Sequence, residues 1–242
     1  MKLAILDIEV SPAVATIWDL KTRYVQPHNI RERRRVICMA WKWLSVPETH
    51  FISEWDHGRK GMLGAAWQLL DEADGVITYN GTAFDLPMLN TEFMIEDMPP
   101  PSPAVSTDLM KVAKKNARFM SGKLDYISGQ LGLGHKLDTG GIGTWAKVLE
   151  GDEEARQRFR LYNEMDVELT ERLYFRLLPW AGQHPSPGVI DCDDGCPRCS
   201  GGLRPRGWAY TKTSKYRRYR CDDCGGWSRS VRREGSAPIT AM

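Results

Sequence analysis

Apolar residues fill positions 3–8 almost without a break, a run of strand length. Three more such runs, at 14–20, 36–44 and 50–55, follow at short intervals. Strands spaced this closely predict an antiparallel meander. The period then changes. Met62, Leu63, Ala66, Leu69, Leu70 and Ala73 recur at helical spacing. Gly75 interrupts them, residues 76–79 read as a buried strand, and Asn80-Gly81 turns the chain into a helix carrying Phe84, Leu86, Met88, Leu89 and Phe93. The prolines between Pro99 and Pro103 stop that helix, and residues 105–109 predict an edge strand. From Lys123 the pattern is helical. It is clearest over 154–178, where Phe159, Tyr162, Met165, Leu169, Leu173 and Leu177 form a stripe that Pro179 ends. A meander, then alternating helix and strand, then helices, predicts an α/β body with a mixed sheet.

Composition narrows the class. With 42% hydrophobic and 26% charged residues, the 242-residue chain is neither collagen-like nor wholly disordered. Its length suits one full-size domain plus a small appendage. The net charge of +2 conceals a division. Residues 191–242 carry eleven Lys/Arg against six Asp/Glu, a net of +5, which leaves the first 190 residues at −3. An acidic body with a basic tail predicts two modules, the second a candidate for nucleic acid. No apolar run reaches the ~18 residues of a spanning helix, so no membrane role is expected. Asp7 and Glu9 break the apolar start before it can act as a secretion signal, and no small-residue cleavage site follows. The expected compartment is the cytoplasm, where six cysteines point to metal ligands or core residues rather than disulfides.

The candidate chemistry begins with Asp7 and Glu9. Two apart in a strand, they leave the same face. Two carboxylates in an apolar strand need a positive partner, and hard oxygen ligands suit Mg²⁺ or Mn²⁺; an edge strand with solvated acids is the alternative. Asp85, in Tyr79-Asn80-Gly81-Thr82-Ala83-Phe84-Asp85, falls in the first turn of a helix, where it complements the helix dipole. In Tyr162-Asn163-Glu164-Met165-Asp166, Tyr162 and Asp166 are four apart on one helical face, which turns Asp166 inward.

These motifs, in this order, resemble the DEDD superfamily of 3′–5′ exonucleases, which has the RNase H-like fold. Asp7-Ile8-Glu9 matches the first motif, residues 80–85 (NGTAFD) the second, and residues 162–166 (YNEMD) the third. Tyr162 four before Asp166 matches the tyrosine branch, DEDDy; the histidine branch would place His at 161, where this chain has Leu161. Residues 123–127 (KLDYI), 130–134 (QLGLG) and 106–109 (STDL) resemble segments of family B polymerase proofreading domains. Val10 departs from the threonine that many relatives carry there. The resemblance covers residues 1–180 and is strongest to stand-alone phage-type nucleases that end in a zinc ribbon. It implies two Mg²⁺ or Mn²⁺ ions about 4 Å apart. Asp7 would bridge them, Glu9 and Asp166 would complete one site, Asp85 would hold the other, and Tyr162 would orient the attacking water. Phe84 is expected either to stack on a terminal base or to join the core, Asn80 to contact the strand backbone or make the turn, and Asp108 to be structural.

The tail carries Cys196-Pro197-Arg198-Cys199 and Cys221-Asp222-Asp223-Cys224. Four thiolates in two CxxC pairs predict one closed tetrahedral structural Zn²⁺ site, which would supply the folding energy that so short a segment lacks. Cys192 reads as a spare thiol and Cys38 as a core residue. Arg204, Arg206, Lys212, Lys215, Arg217, Arg218 and Arg220 lie between the pairs, interleaved with Trp208, Tyr210, Tyr216 and Tyr219 and with no acid. Cations for phosphates and aromatics for bases fit sequence-independent binding of a single strand; a solvated hairpin with aromatics in a small core is the alternative. The run Arg31, Arg33, Arg34, Arg35 fits either a solvated face or phosphate contact.

The expected organisation is an RNase H-like DEDDy domain at 1–180, a linker at 181–190, a zinc ribbon at 191–233 and a tail at 234–242. The expected function is metal-dependent 3′–5′ hydrolysis of single-stranded DNA, in the host cytoplasm if the protein is phage-encoded. An exoribonuclease, a structure-selective endonuclease and a pure nucleic-acid-binding module are the alternatives, separable by the products formed from labelled DNA and RNA.

Overall fold

A computed structural model describes residues 1–182, 184–186 and 194–239. Cys192 and half of the expected linker lie outside them. The chain forms two compact units, Lys2–Leu173 and Tyr174–Met242, with Met1 grouped in the second.

The first unit is built on a five-stranded sheet ordered β5-β4-β1-β6-β7, comprising β1 (Leu3–Val10), β4 (Val36–Trp43), β5 (His50–Ser53), β6 (Gly75–Thr78) and β7 (Val105–Asp108). The pairs β1/β4 and β4/β5 are antiparallel; β1/β6 and β6/β7 are parallel. This is the mixed sheet that the sequence pattern predicts. Ala4, Leu6 and Ile8 pack with Met62, Leu63, Leu89 and Phe93 of α1 (Glu54–Glu72) and α2 (Asp85–Ile95). Ile37 and Cys38 pack instead with Val148 of α5 (Ile142–Glu150) and with Ala155 and Phe159 of α6 (Glu153–Leu177). Alternate residues of β1 therefore meet α1 and α2, while α5 and α6 pack on β4. The short helices α3 (Leu109–Asn116) and α4 (Leu124–Gln130) complete the unit.

Two expectations need correction. The strand predicted over 14–20 is only β2 (Val14–Ala15), which pairs outside the main sheet with β3 (Ile30–Glu32). The apolar residues that suggested a longer strand have no sheet face to cover. The strand predicted to reach Trp55 ends at Ser53, because the Ser53 hydroxyl accepts from the Asp56 N–H (3.2 Å) and starts α1 there.

The second unit holds an antiparallel sheet ordered β10-β9-β8, formed by β8 (Leu203–Tyr210), β9 (Ser214–Cys221) and β10 (Trp227–Ser236). Its last strand runs three residues past the boundary expected at 233.

Candidate functional site

Strand β1 outruns its parallel neighbour. It pairs with β6 from Leu3 to Ile5, and β6 stops at Thr78, so Asp7 and Glu9 project where the parallel strands end. Open α/β sheets form a crevice at that edge. The Ile8 N–H, beyond the end of β6, donates to the Asp85 carboxylate (3.2 Å) at the first turn of α2.

The turn that delivers Asp85 depends on small features. Asn80 is left-handed (φ 68°), and a side chain at Gly81 would collide with Thr78. Asp108 holds the turn and caps α3 together. It accepts from the N–H groups of Asn80 (3.0 Å) and Met110 (3.0 Å) and from the Thr82 hydroxyl (2.6 Å). Asp108 and Asn80 are thus both parts of the turn.

Helix α6 supplies the opposite wall. Asp7, Glu9 and Asp166 bring carboxylate oxygens within 4.8 Å of one another. Asn163, fully buried, donates to the Asp7 carboxylate (2.6 Å) and fixes its orientation. Burial raises the pKa of every carboxyl in the group. Asp7 lies well above the usual range through desolvation and repulsion from Asp85, Asp166 and Glu9. Desolvation pushes Glu9 up to about 8 and Asp85 to about 6, and it also raises Asp166. Such a cluster is electrostatically unfavourable alone, and a divalent cation with hard oxygen ligands relieves it. The donor set fits Mg²⁺ or Mn²⁺.

Sequence reasoning missed Lys136. Its ammonium lies 2.6 Å from the Asp166 carboxylate and 4.9 Å from the centre of the Tyr162 ring. Burial alone would lower its pKa, yet Asp166, Tyr162 and Asp7 together raise it, so the site carries a permanent cation. Asp125 anchors this segment by accepting the Lys136 N–H (2.9 Å). The one sequence signal was Asp125 itself, inside the KLDYI segment. Tyr162 is raised too, chiefly by burial and then by Asp166, so its phenol stays protonated at neutral pH.

Phe84 is half-buried against the core beside α2, with the Arg34 guanidinium 5.6 Å from its ring centre. With Glu9, Arg34, Ile142 and Trp145 it lines a cleft of about 350 Å³. The basic run divides. Arg33 makes a bidentate pair with buried Glu92 (2.8 and 2.7 Å) and Arg35 pairs with Glu54 (2.8 Å), whereas Arg34 faces this cleft.

In the second unit the sulfurs of Cys196, Cys199, Cys221 and Cys224 also lie within 4.8 Å of one another. The separations Cys196–Cys224 (3.7 Å) and Cys199–Cys221 (3.6 Å) match the edge of about 3.8 Å of a tetrahedron with ~2.3 Å Zn–S bonds. The Gly226 N–H donates to the Cys224 sulfur (3.4 Å) across Gly225 in the left-handed region (φ 72°). The cluster therefore fits a structural zinc ribbon. Three of its aromatics, Trp208, Tyr216 and Trp227, already lie against cations. Lys215 and Arg217 lie 3.8 and 4.9 Å from the Trp208 ring centre, and Arg229 lies 3.9 Å from that of Tyr216. Tyr210, Lys212, Arg218 and Arg220 are exposed; Tyr219 is half-buried on β9. Arg204 and Arg206 on β8 and Arg220 on β9 border one cleft of about 400 Å³, where Arg204 pairs with Asp222 (2.8 Å).

Three comparisons bear on this arrangement. The sequence model RNase_H_2, of the RNase H superfamily, matches residues 32–178, so Asp7 and Glu9 lie ahead of the matched part. No curated protein matches the chain. The family B DNA polymerase of the hyperthermophilic archaeon Pyrobaculum calidifontis is similar in fold, with a TM-score of 0.57 and 18% identity over 74% of this chain. The match covers 24% of the polymerase, so this chain spans about a quarter of its length. Among the described residues, no helix is long and apolar enough to cross a membrane.

Proposed function

The chain belongs to the RNase H superfamily, and from that premise we propose that it is a metal-dependent 3′–5′ exonuclease of the DEDDy type acting on single-stranded DNA. One observation carries the reading: Asp7, Glu9 and Asp166 converge at the end of the parallel strands, with Asp85 and Tyr162 contributed by the two helices beside them.

In this reading Asp7, Glu9, Asp85 and Asp166 hold two Mg²⁺ or Mn²⁺ ions. The chemistry such ions supply when bound is a more acidic water and neutralised charge on the phosphate. Asn163 keeps Asp7 in one orientation. Protonated Tyr162 donates a hydrogen bond that orients the attacking water and does not remove its proton. Lys136 meets the phosphate's negative charge. The water oxygen adds to phosphorus and the P–O3′ bond breaks; the water's proton passes to solvent and the leaving O3′ takes one up, so a 5′-mononucleotide departs and the shortened strand ends in a new 3′-hydroxyl. Asn80 and Phe84 border the path of the terminal nucleotide. The ribbon, from Arg204 to Arg220, adds cations for the phosphate backbone around one structural Zn²⁺. The proposed division of labour is a nuclease domain at 1–180, a linker at 181–190 and a ribbon from 191 whose last strand extends to Ser236.

The test compares the wild type with Asp7→Ala and Asp166→Asn on single-stranded DNA and matching RNA, with and without Mg²⁺ or Mn²⁺. Metal-dependent loss of DNA, abolished in both variants while their folds persist, is the expected result. Wild-type rates in either variant contradict the assignment. Preference for RNA redirects it to an exoribonuclease.

A further inference from the structure

Between Glu9 and β4 the chain leaves the body as an arm to which the catalytic reading gives no task. Its root is fixed. The Ser11 N–H donates to the Arg35 carbonyl (2.8 Å), and β2 pairs with β3 immediately beyond. The Thr16 N–H reaches the Asn29 carbonyl (2.9 Å), and the Arg31 guanidinium donates to the Thr16 hydroxyl (2.9 Å). Past this hairpin, Asp19 closes a turn by accepting the Lys21 N–H on its carboxylate (3.0 Å) and the Thr22 N–H on its carbonyl (3.2 Å).

The turn holds its apolar side chains in solvent. Trp18 is 102% exposed, Leu20 96% and Tyr24 68%; Val14, Ile17 and Ile30 are exposed as well. Six large apolar residues exposed in so short a segment mark an interaction surface. Between the two short strands its cations are Lys21 and Arg23, against the single acid Asp19; β3 adds Arg31 and Glu32.

We propose that this arm grips the single-stranded nucleic acid leading into the cleft, with Trp18 and Tyr24 stacking on bases and Lys21 and Arg23 meeting phosphates. The proposal rests on the phosphodiesterase reading. Three observations favour nucleic acid over a protein face. The charge is complementary to a phosphate backbone. The root at Ser11 is two residues from Glu9, so the arm is continuous with the carboxylate cleft. Trp18 offers a fully exposed ring, whereas Trp208 and Tyr216 of the ribbon already lie against cations. Sequence-tolerant single-strand binding needs free aromatic faces beside cations.

Reach sets the design of the test. Seven extended residues from Ser11 to Trp18 span at most about 23 Å, or ~7 stacked nucleotides at ~3.4 Å each. At that full extension a stacked trinucleotide, ~10 Å long, seated at the carboxylates stops short of the tip. Binding of 5′-fluorescent oligothymidylates of three and twenty nucleotides is measured by anisotropy, on zinc-loaded full-length protein without added Mg²⁺ or Mn²⁺. The wild type is expected to favour the longer strand. Trp18→Ala/Tyr24→Ala should shrink that preference by on the order of 10-fold per ring lost, and Trp18→Phe/Tyr24→Phe should restore most of it. Lys21→Gln/Arg23→Gln should flatten the salt dependence. An unchanged length preference in the alanine double variant overturns the proposal. So does loss of concentration-dependent self-association in that variant with unchanged DNA affinity, which would make the arm a protein contact. If the wild type binds the longer strand through the arm but never cleaves it with Mg²⁺, the catalytic reading fails and the arm stands.

Discussion

Replacing Glu9 by glutamine should stabilise the metal-free protein while destroying its function. Glu9 has the shape of glutamine but carries a charge into a cluster that already holds Asp7, Asp85 and Asp166. Its carboxyl is pushed up to about 8 in the folded chain, chiefly by desolvation. The unfolded value is near 4.5. Between these values the folded chain binds more protons than the unfolded one, so stability falls as pH rises through the window. Each pKa unit corresponds to about 1.4 kcal/mol, which gives an upper value of ~3 kcal/mol at pH 7. Solvent reaches part of this side chain, and screening reduces the expected gain to ~1–3 kcal/mol. The assay is urea unfolding of metal-free wild type and Glu9→Gln from pH 4.5 to pH 8.5, repeated with saturating Mg²⁺. The variant should be the more stable without metal, increasingly so with pH. Mg²⁺ should stabilise the wild type by mass action and the variant much less. A variant that is less stable, or a difference that does not move with pH, would refute the electrostatic account of the cluster.

Glu92 is fully buried and accepts from both Arg33 and Arg59. Glu92→Gln breaks this pairing and should cost about 3–5 kcal/mol in urea unfolding; a loss below ~1 kcal/mol would show that the pairing contributes little to stability. Removing zinc with a chelator, or Cys224→Ser, should unfold the ribbon and expose its tryptophans to quencher, while the helical signal of the first unit persists. An unchanged ribbon after metal removal counts against a structural zinc. Tyr162→Phe should lower kcat by at least ~10²-fold with Mg²⁺ affinity retained; a wild-type kcat removes Tyr162 from the mechanism.

The meander, the parallel strand at 75–78 and the long last helix were readable because their apolar periods are regular. Asp7, Glu9, Asp85 and Asp166 become candidates only through the order of their motifs, since each motif alone also fits a solvated or dipole-capping carboxylate. The four cysteines were readable from spacing alone. Local pattern could not divide the run from Arg31 to Arg35, because its fate depends on Glu92 and Glu54, far away in sequence. Lys136 was hidden for the same reason: an isolated lysine in a loop becomes a site residue only when Asp125 docks that loop beside α6. The run at 14–20 suggests a longer strand than β2, since an apolar run looks the same whether it meets a sheet or solvent. Asn163 sat inside the third motif, yet only the fold reveals that it orients Asp7.

The central claim is directional, metal-dependent hydrolysis at the carboxylate cluster. One single-stranded DNA, labelled at its 5′ end in one sample and its 3′ end in another, tests it in a time course with Mg²⁺. The account predicts a ladder of progressively shorter 5′-labelled products and immediate release of the 3′ label as a mononucleotide. A single internal cut, a ladder advancing from the 5′ end, or equal degradation with chelator present contradicts it.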